Sequence, residues 1–65
     1  MNYVIADGST VTINVGNQIQ VVPGYLPSST DGQWITVVKA DTDYPYWNDG
    51  HQQSAITPSL ITAVQ

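Results

Sequence analysis

Thr10-Val11-Thr12-Ile13-Asn14-Val15-Gly16-Asn17-Gln18-Ile19-Gln20-Val21-Val22 decides the fold class. Apolar and polar residues alternate on both sides of a Gly-Asn pair. Val11, Ile13 and Val15 share one face, opposite Thr12 and Asn14; Ile19 and Val21 then stand opposite Gln18 and Gln20. A period of two sends one set to a core and the other to water, as in half-buried strands. Gly16-Asn17 supplies the positive φ or side-chain-to-backbone bond that a tight turn requires. Composition agrees. Val, Ile and Thr supply 21 of 65 residues, Leu occurs twice, and Glu and Arg are absent. Branched side chains suit a pleated surface and lose rotamer freedom in helices.

Similar punctuation divides the rest of the chain. Asp-Gly occurs at 7–8, 31–32 and 49–50, with Pro23-Gly24 and Asp41-Thr42-Asp43 between. Short strands are expected at 3–5, 10–15, 18–22, 34–40, 44–48 and 61–64, with a weak one around 52–56. Residues 23–33 read as a loop. The stretch 34–40 is nearly continuously apolar and reads as buried on both faces. Pro45 makes 44–48 an edge strand or a bulged one. Thr57-Pro58-Ser59-Leu60 reads as a single helical turn, with Thr57 capping and Pro58 in its first position. The expected core is Val11, Ile13, Ile19, Val21, Ile35, Val37, Leu60 and Ile61 with one of Trp34 and Trp47. If that one is Trp34, Trp34→Ala ranks among the most damaging changes, at about 3–5 kcal/mol.

At this length there is room for one domain, residues 1–65, and one small core. Such a chain buries only about 60% of the surface it exposes when unfolded, so its stability is marginal. Without Cys, neither a disulfide nor the usual Cys/His zinc site can staple it. Lys39 is the only strong base, which rules out a phosphate-tracking surface and with it nearly all nucleic-acid binding. Nothing near Met1 resembles a signal peptide, no apolar run approaches a membrane span, and no fused domain is expected. A standalone, non-membrane protein is the expectation. The 42% hydrophobic and 9% charged content also lies far from the disordered regime. A formal charge of −4 from scattered Asp leaves the surface polar and sticky, a composition that points to a partner.

From Gly16 onward the order of features resembles SH3-like barrels, in particular the SH3-type modules of bacteria and phages. The matching text is Gly16-Asn17-Gln18-Ile19-Gln20-Val21-Val22, a long loop, Asp31-Gly32-Gln33-Trp34-Ile35-Thr36-Val37-Val38 and the hairpin at 41–43. Trp47, Asp49-Gly50 and Ile56-Thr57-Pro58-Ser59-Leu60-Ile61 follow, before Val64. The resemblance implies an all-β, SH3-like barrel of five to seven short strands, with the helical turn just before the last. The long loop holds one acid, Asp31, and Trp34 stands alone, unlike the Pro-motif-binding members with acidic loops and paired tryptophans.

The chemical candidates are sparse. Asp41-Thr42-Asp43-Tyr44-Pro45 spaces oxygens like a calcium loop, but Pro45 takes the third ligand position and Tyr46 that of the required glycine. His51 lacks a second nitrogen or sulfur ligand. Asp49, His51 and Ser54 tempt a triad reading, yet nucleophilic catalysis needs an oxyanion site and a water-excluding pocket. The expectation is therefore no enzyme: no catalytic residue, no metal and no cofactor. The aromatics carry the functional reading. Tyr3, Tyr25, Tyr44 and Tyr46 are the candidate partner-binding residues, a residue type enriched at interface hot spots. The expected function is a non-catalytic structural protein, a small phage virion component such as a capsid decoration, cement or head-tail part. Its partner would be a protein of a larger assembly (the major capsid protein is one candidate), with a homo-oligomer also possible. Location would be the virion, otherwise the cytoplasm, with neither nucleic acid nor membrane as partner. The alternatives are an SH3-type module for a peptide or cell-wall glycan, and a small phage inhibitor of a host protein.

Overall fold

A computed structural model of the chain describes residues 1–57 and 60–64, with backbone alone at Ile61 and Val64. The fold is all-β. Seven short strands, β1 (Asn2–Val4), β2 (Thr10–Thr12), β3 (Gln18–Val21), β4 (Trp34–Ala40), β5 (Pro45–Asn48), β6 (Gln53–Ala55) and β7 (Ile61–Val64), follow one another in sequence. β1 and β2 form a two-stranded sheet, and the other five pair in the order β6-β5-β4-β3-β7. Every pairing is antiparallel.

Turn chemistry sets the connections. Between β1 and β2, Gly8 takes φ +86°, its N–H donates to the Ile5 carbonyl at 2.9 Å, and the Asp7 carboxylate accepts the Ser9 N–H at 2.9 Å. Only glycine holds that φ without strain. After β2 the chain turns at once, the Asn17 N–H donating to the Asn14 carbonyl at 3.0 Å. That early turn corrects one expectation: the alternation stops before Val15, which is 64% exposed although Ile13 is fully buried.

The core gathers Tyr3 and Ile13 from the β1–β2 side, Ile19, Val21, Ile35, Val37 and Trp47 from the larger sheet, and Ile56 and Leu60 from the connection to β7. Val11 and Leu26 pack against it half-buried. The tryptophan of the core is Trp47, at 8% exposure; Trp34 is 39% exposed. Parity explains the choice, because Trp34 and Thr36 point away from the face that carries Ile35 and Val37. β4 is thus covered on one face in its first half, not on both. The side chain of Ile61 lies outside the description.

Of the two expectations for Pro45, an edge or a bulge, the structure shows the bulge and not the edge. β5 lies between β4 and β6, and Pro45 is fully buried as its first residue. Its carbonyl accepts the Ile56 N–H at 2.7 Å, and the β4–β5 register shifts between Val37 and Lys39. A first position and a bulge are where a sheet tolerates a residue without an N–H. In the loop 22–33 the chain makes a 3₁₀ turn at Ser28–Thr30, where the Thr30 N–H and hydroxyl both donate to the Pro27 carbonyl. Pro58 and Ser59 of the expected helical turn lie outside the described residues; at its end the Leu60 N–H donates to the Thr57 carbonyl at 2.9 Å.

Candidate interaction surface

The four candidate tyrosines do not form one strip. Tyr3 belongs to the core: the middle of β1 turns its ring inward, to 6% exposure, and its hydroxyl donates to the Asp41 carbonyl at 2.9 Å. Tyr3 is therefore withdrawn as a contact residue. It acts as a brace, tying β1 to the β4–β5 hairpin across 38 residues of sequence. Tyr44 lies 39% exposed on that hairpin and Tyr46 half-buried beside it in β5. Tyr25 is 56% exposed in the loop that leads to β4. Trp34, left open between core and surface by the sequence, starts β4 next to that loop's closing bonds, Val21 N–H to Gln33 carbonyl and Gly32 N–H to Val21 carbonyl. Six steps of about 3.3 Å along β4 put its ends about 20 Å apart. In a molecule of 27 × 21 × 19 Å these are two separate aromatic patches.

The hairpin patch is the more densely bonded. Residues 41–44 cap the Ala40↔Pro45 pair, with the Asp41 N–H donating to the Tyr44 carbonyl at 3.2 Å. Asp41 accepts the Thr42 N–H at 2.7 Å, and Asp43 accepts the Tyr44 N–H at 2.8 Å. These are the local side-chain-to-backbone bonds for which Asp is favoured in turns. Lys39, paired across the ladder with Tyr46, sets its ammonium 2.9 Å from Asp41 and 5.1 Å from the Tyr46 ring centre. The Tyr46 hydroxyl donates to the second oxygen of Asp43 at 2.8 Å. The Lys39 contacts hold Asp41 below the ordinary carboxylate value and raise Lys39 in turn. Asp43 is held low by the Tyr44 N–H and then by the Tyr46 hydroxyl, whose own pKa this bond raises. Burial, followed by the charges of Asp41 and Asp43, raises Tyr3. The result is a hydrogen-bonded knuckle in which Lys39 is paired with Asp41 and Tyr44 stands exposed. Sequence reading singled out its tyrosines and treated its aspartates as a turn. It missed Lys39, whose isolation among acids and aromatics was the available signal.

The β5–β6 hairpin carries the other chemical candidates. Ser54 donates directly to the Asp49 carboxylate, which lowers the pKa of Asp49. In a catalytic triad the imidazole stands between these two groups; here His51 is at the exposed turn, on an open hollow shared with Asn48, Gly50, Gln52 and Gln53. Among the described residues no three His or Asp side chains gather where they could hold a metal ion. No helix of the described residues is long and apolar enough to cross a membrane. No protein-family model, curated protein or solved structure matches this chain.

Proposed function

We propose that the chain is a non-catalytic interaction protein that adheres to neighbouring subunits of a larger protein assembly, as a capsid decoration, cement or head-tail part does in a phage virion. The observation that carries this reading is the exposure of large side chains. Met1, Val4, Val15, Tyr25, Trp34 and Tyr44 all stand 39% or more exposed on a domain of 65 residues. Singly exposed apolar residues are ordinary. Between residues 22 and 38, the stretch that holds Tyr25 and Trp34, Asp31 is the one charged residue, which approaches the composition of interface cores, where charge is depleted. Two patches about 20 Å apart suit a part that bridges neighbours, each contact modest and the repeated array strong. The phage setting rests on the resemblance of the chain to SH3-type phage modules.

The test is recovery of the native protein from its source under mild conditions. The expected result is co-purification with a particle or large partner at high copy number, weakened by Tyr44→Ser or Tyr25→Ser. Recovery with no particle or large partner would overturn the reading. The binding-module reading has one observation in its favour, the placement of Tyr25 and Trp34 beside the long loop. It predicts saturable binding of a Pro-rich peptide or a peptidoglycan fragment that Trp34→Ala removes.

A further inference from the structure

The hydrogen bonding of the β1–β2 hairpin leaves both its outer edges unpaired among the described residues, and β2 presents the one whose sequence is symmetric. Met1 and Ile13 exchange backbone bonds at 2.7 and 2.8 Å, and the Ile5 N–H donates to Ser9 at 2.9 Å. Bonded and non-bonded pairs alternate in an antiparallel ladder, so Tyr3↔Val11 is bonded while Asn2↔Thr12 and Val4↔Thr10 are not. The N–H and C=O groups of Thr10 and Thr12 therefore point away from β1. The sheet ends there: β2 has β1 as its only strand neighbour among the described residues, and both threonines are exposed.

We propose that β2 pairs antiparallel with β2 of a second copy of this chain across a two-fold axis. Thr10-Val11-Thr12 reads the same in both directions. An axis through Val11 sets Thr10 opposite Thr12 of the other copy, and both outward residues on each side find an identical partner. The two pairs exchange four backbone hydrogen bonds, and the Val11 side chains meet in the close, non-bonded position, with Cα atoms about 4.5 Å apart. That covers the residue the core leaves half-buried. The symmetric segment selects a second copy as occupant, and charge permits it. Each chain carries −4, yet no residue between Asp7 and Asp31 is charged, so the β2 edges meet without the like-charge repulsion that would keep two acidic knuckles apart. The usual guards of an edge strand, Lys, Pro and a bulge, are missing from β2. Pairing turns a two-stranded hairpin, marginal alone, into a continuous four-stranded sheet. The arrangement is isologous and closes on itself.

Sedimentation equilibrium from micromolar to millimolar concentration, with amide exchange at both ends of that range, tests the pairing. The expected result is a concentration-dependent doubling of mass, accompanied by protection of the Thr10 and Thr12 amides while those of Asn2 and Val4 stay fast. The double variant Thr10→Lys, Thr12→Lys sets like charges against each other across the axis and should remain a monomer with an unchanged far-UV spectrum. A monomer throughout the range overturns the proposal. So does a dimer in which the Thr10 and Thr12 amides stay unprotected, or one that the double variant retains. If the variant fails to fold, amide exchange on the unaltered chain decides. The inference is independent of the assembly reading: a dimer that co-purifies with nothing upholds this one and removes that one.

Discussion

Trp47 and Trp34 belong to the same residue type and meet opposite fates. Trp47 faces inward as a member of the core, and its Nε1 is buried with no acceptor among the described residues. Trp34 leads β4 on the outward parity. Trp47→Ala is expected to cost about 3–5 kcal/mol, enough to unfold so small a domain, whereas Trp34→Ala should cost about 1 kcal/mol or less. Trp47→Phe should fall well below Trp47→Ala, because it keeps a ring in the cavity and removes an N–H that has no partner. Urea midpoints of the three variants check the order, and a larger loss at Trp34 would reverse the assignment of the core. Strand parity was legible from Ile35 and Val37 alone. A run of apolar letters masked it, since Trp34 and Val38 look as buriable as their neighbours until the pleat is followed. Tyr3 shows the converse: nothing local marks it as core, because its burial depends on a partner carbonyl far away in sequence. Tyr3→Phe should cost about 1 kcal/mol by leaving the Asp41 carbonyl without that donor.

Among the elements, the β4–β5 hairpin concentrates the electrostatics. Asp41 and Asp43 there, like Asp7 and Asp49 on the other two Asp-bearing hairpins, have folded-state pKa values below the ordinary 3.8. A depressed carboxylate contributes stability above its unfolded value and loses it as pH falls through the folded value, because the unfolded chain then binds more protons. On the alkaline side Tyr3 and Tyr46 are raised above 10.0, so their contribution is present below that pH and lost as it rises past it. Urea midpoints should stay level through neutral pH and fall below about pH 4 and above about pH 10. Asp41→Asn with Asp43→Asn should flatten the acid limb, and an unchanged limb in that variant would assign it elsewhere. These turns were legible in the sequence, where Asp-Gly and Asp-Thr-Asp announced them. The place of β5 was not. Pro45 argued for an edge or a bulge; the bulge is there, in β4 between Val37 and Lys39, while the place of β5 between β4 and β6 depends on how the strands pair.

For the whole molecule, a Cα radius of gyration of 10.7 Å is about that of a compact chain of this length. Compactness does not bring reserve stability, because a small core, nine apolar side chains among the described residues, must offset the ordering of the entire backbone. The fold class was legible, since alternation and turn signals recur along the chain. The division into two aromatic patches was not, because it depends on how loop 22–33 and the 41–44 turn are carried to opposite ends of β4. A marginal domain that docks should gain stability by mass action, about 2.7 kcal/mol with its partner at a hundred times Kd. In a chain of this size that corresponds to a rise in Tm of about 10–20 °C. Scanning calorimetry of the protein alone and with its co-purifying partner measures the shift. Tyr44→Ser should leave the Tm of the free chain nearly unchanged, since its ring lies outside the core, and on the adhesive reading it should reduce the rise on docking. A saturating partner that leaves Tm unmoved would mean that it binds folded and unfolded chain alike, and the adhesive reading would fall with it.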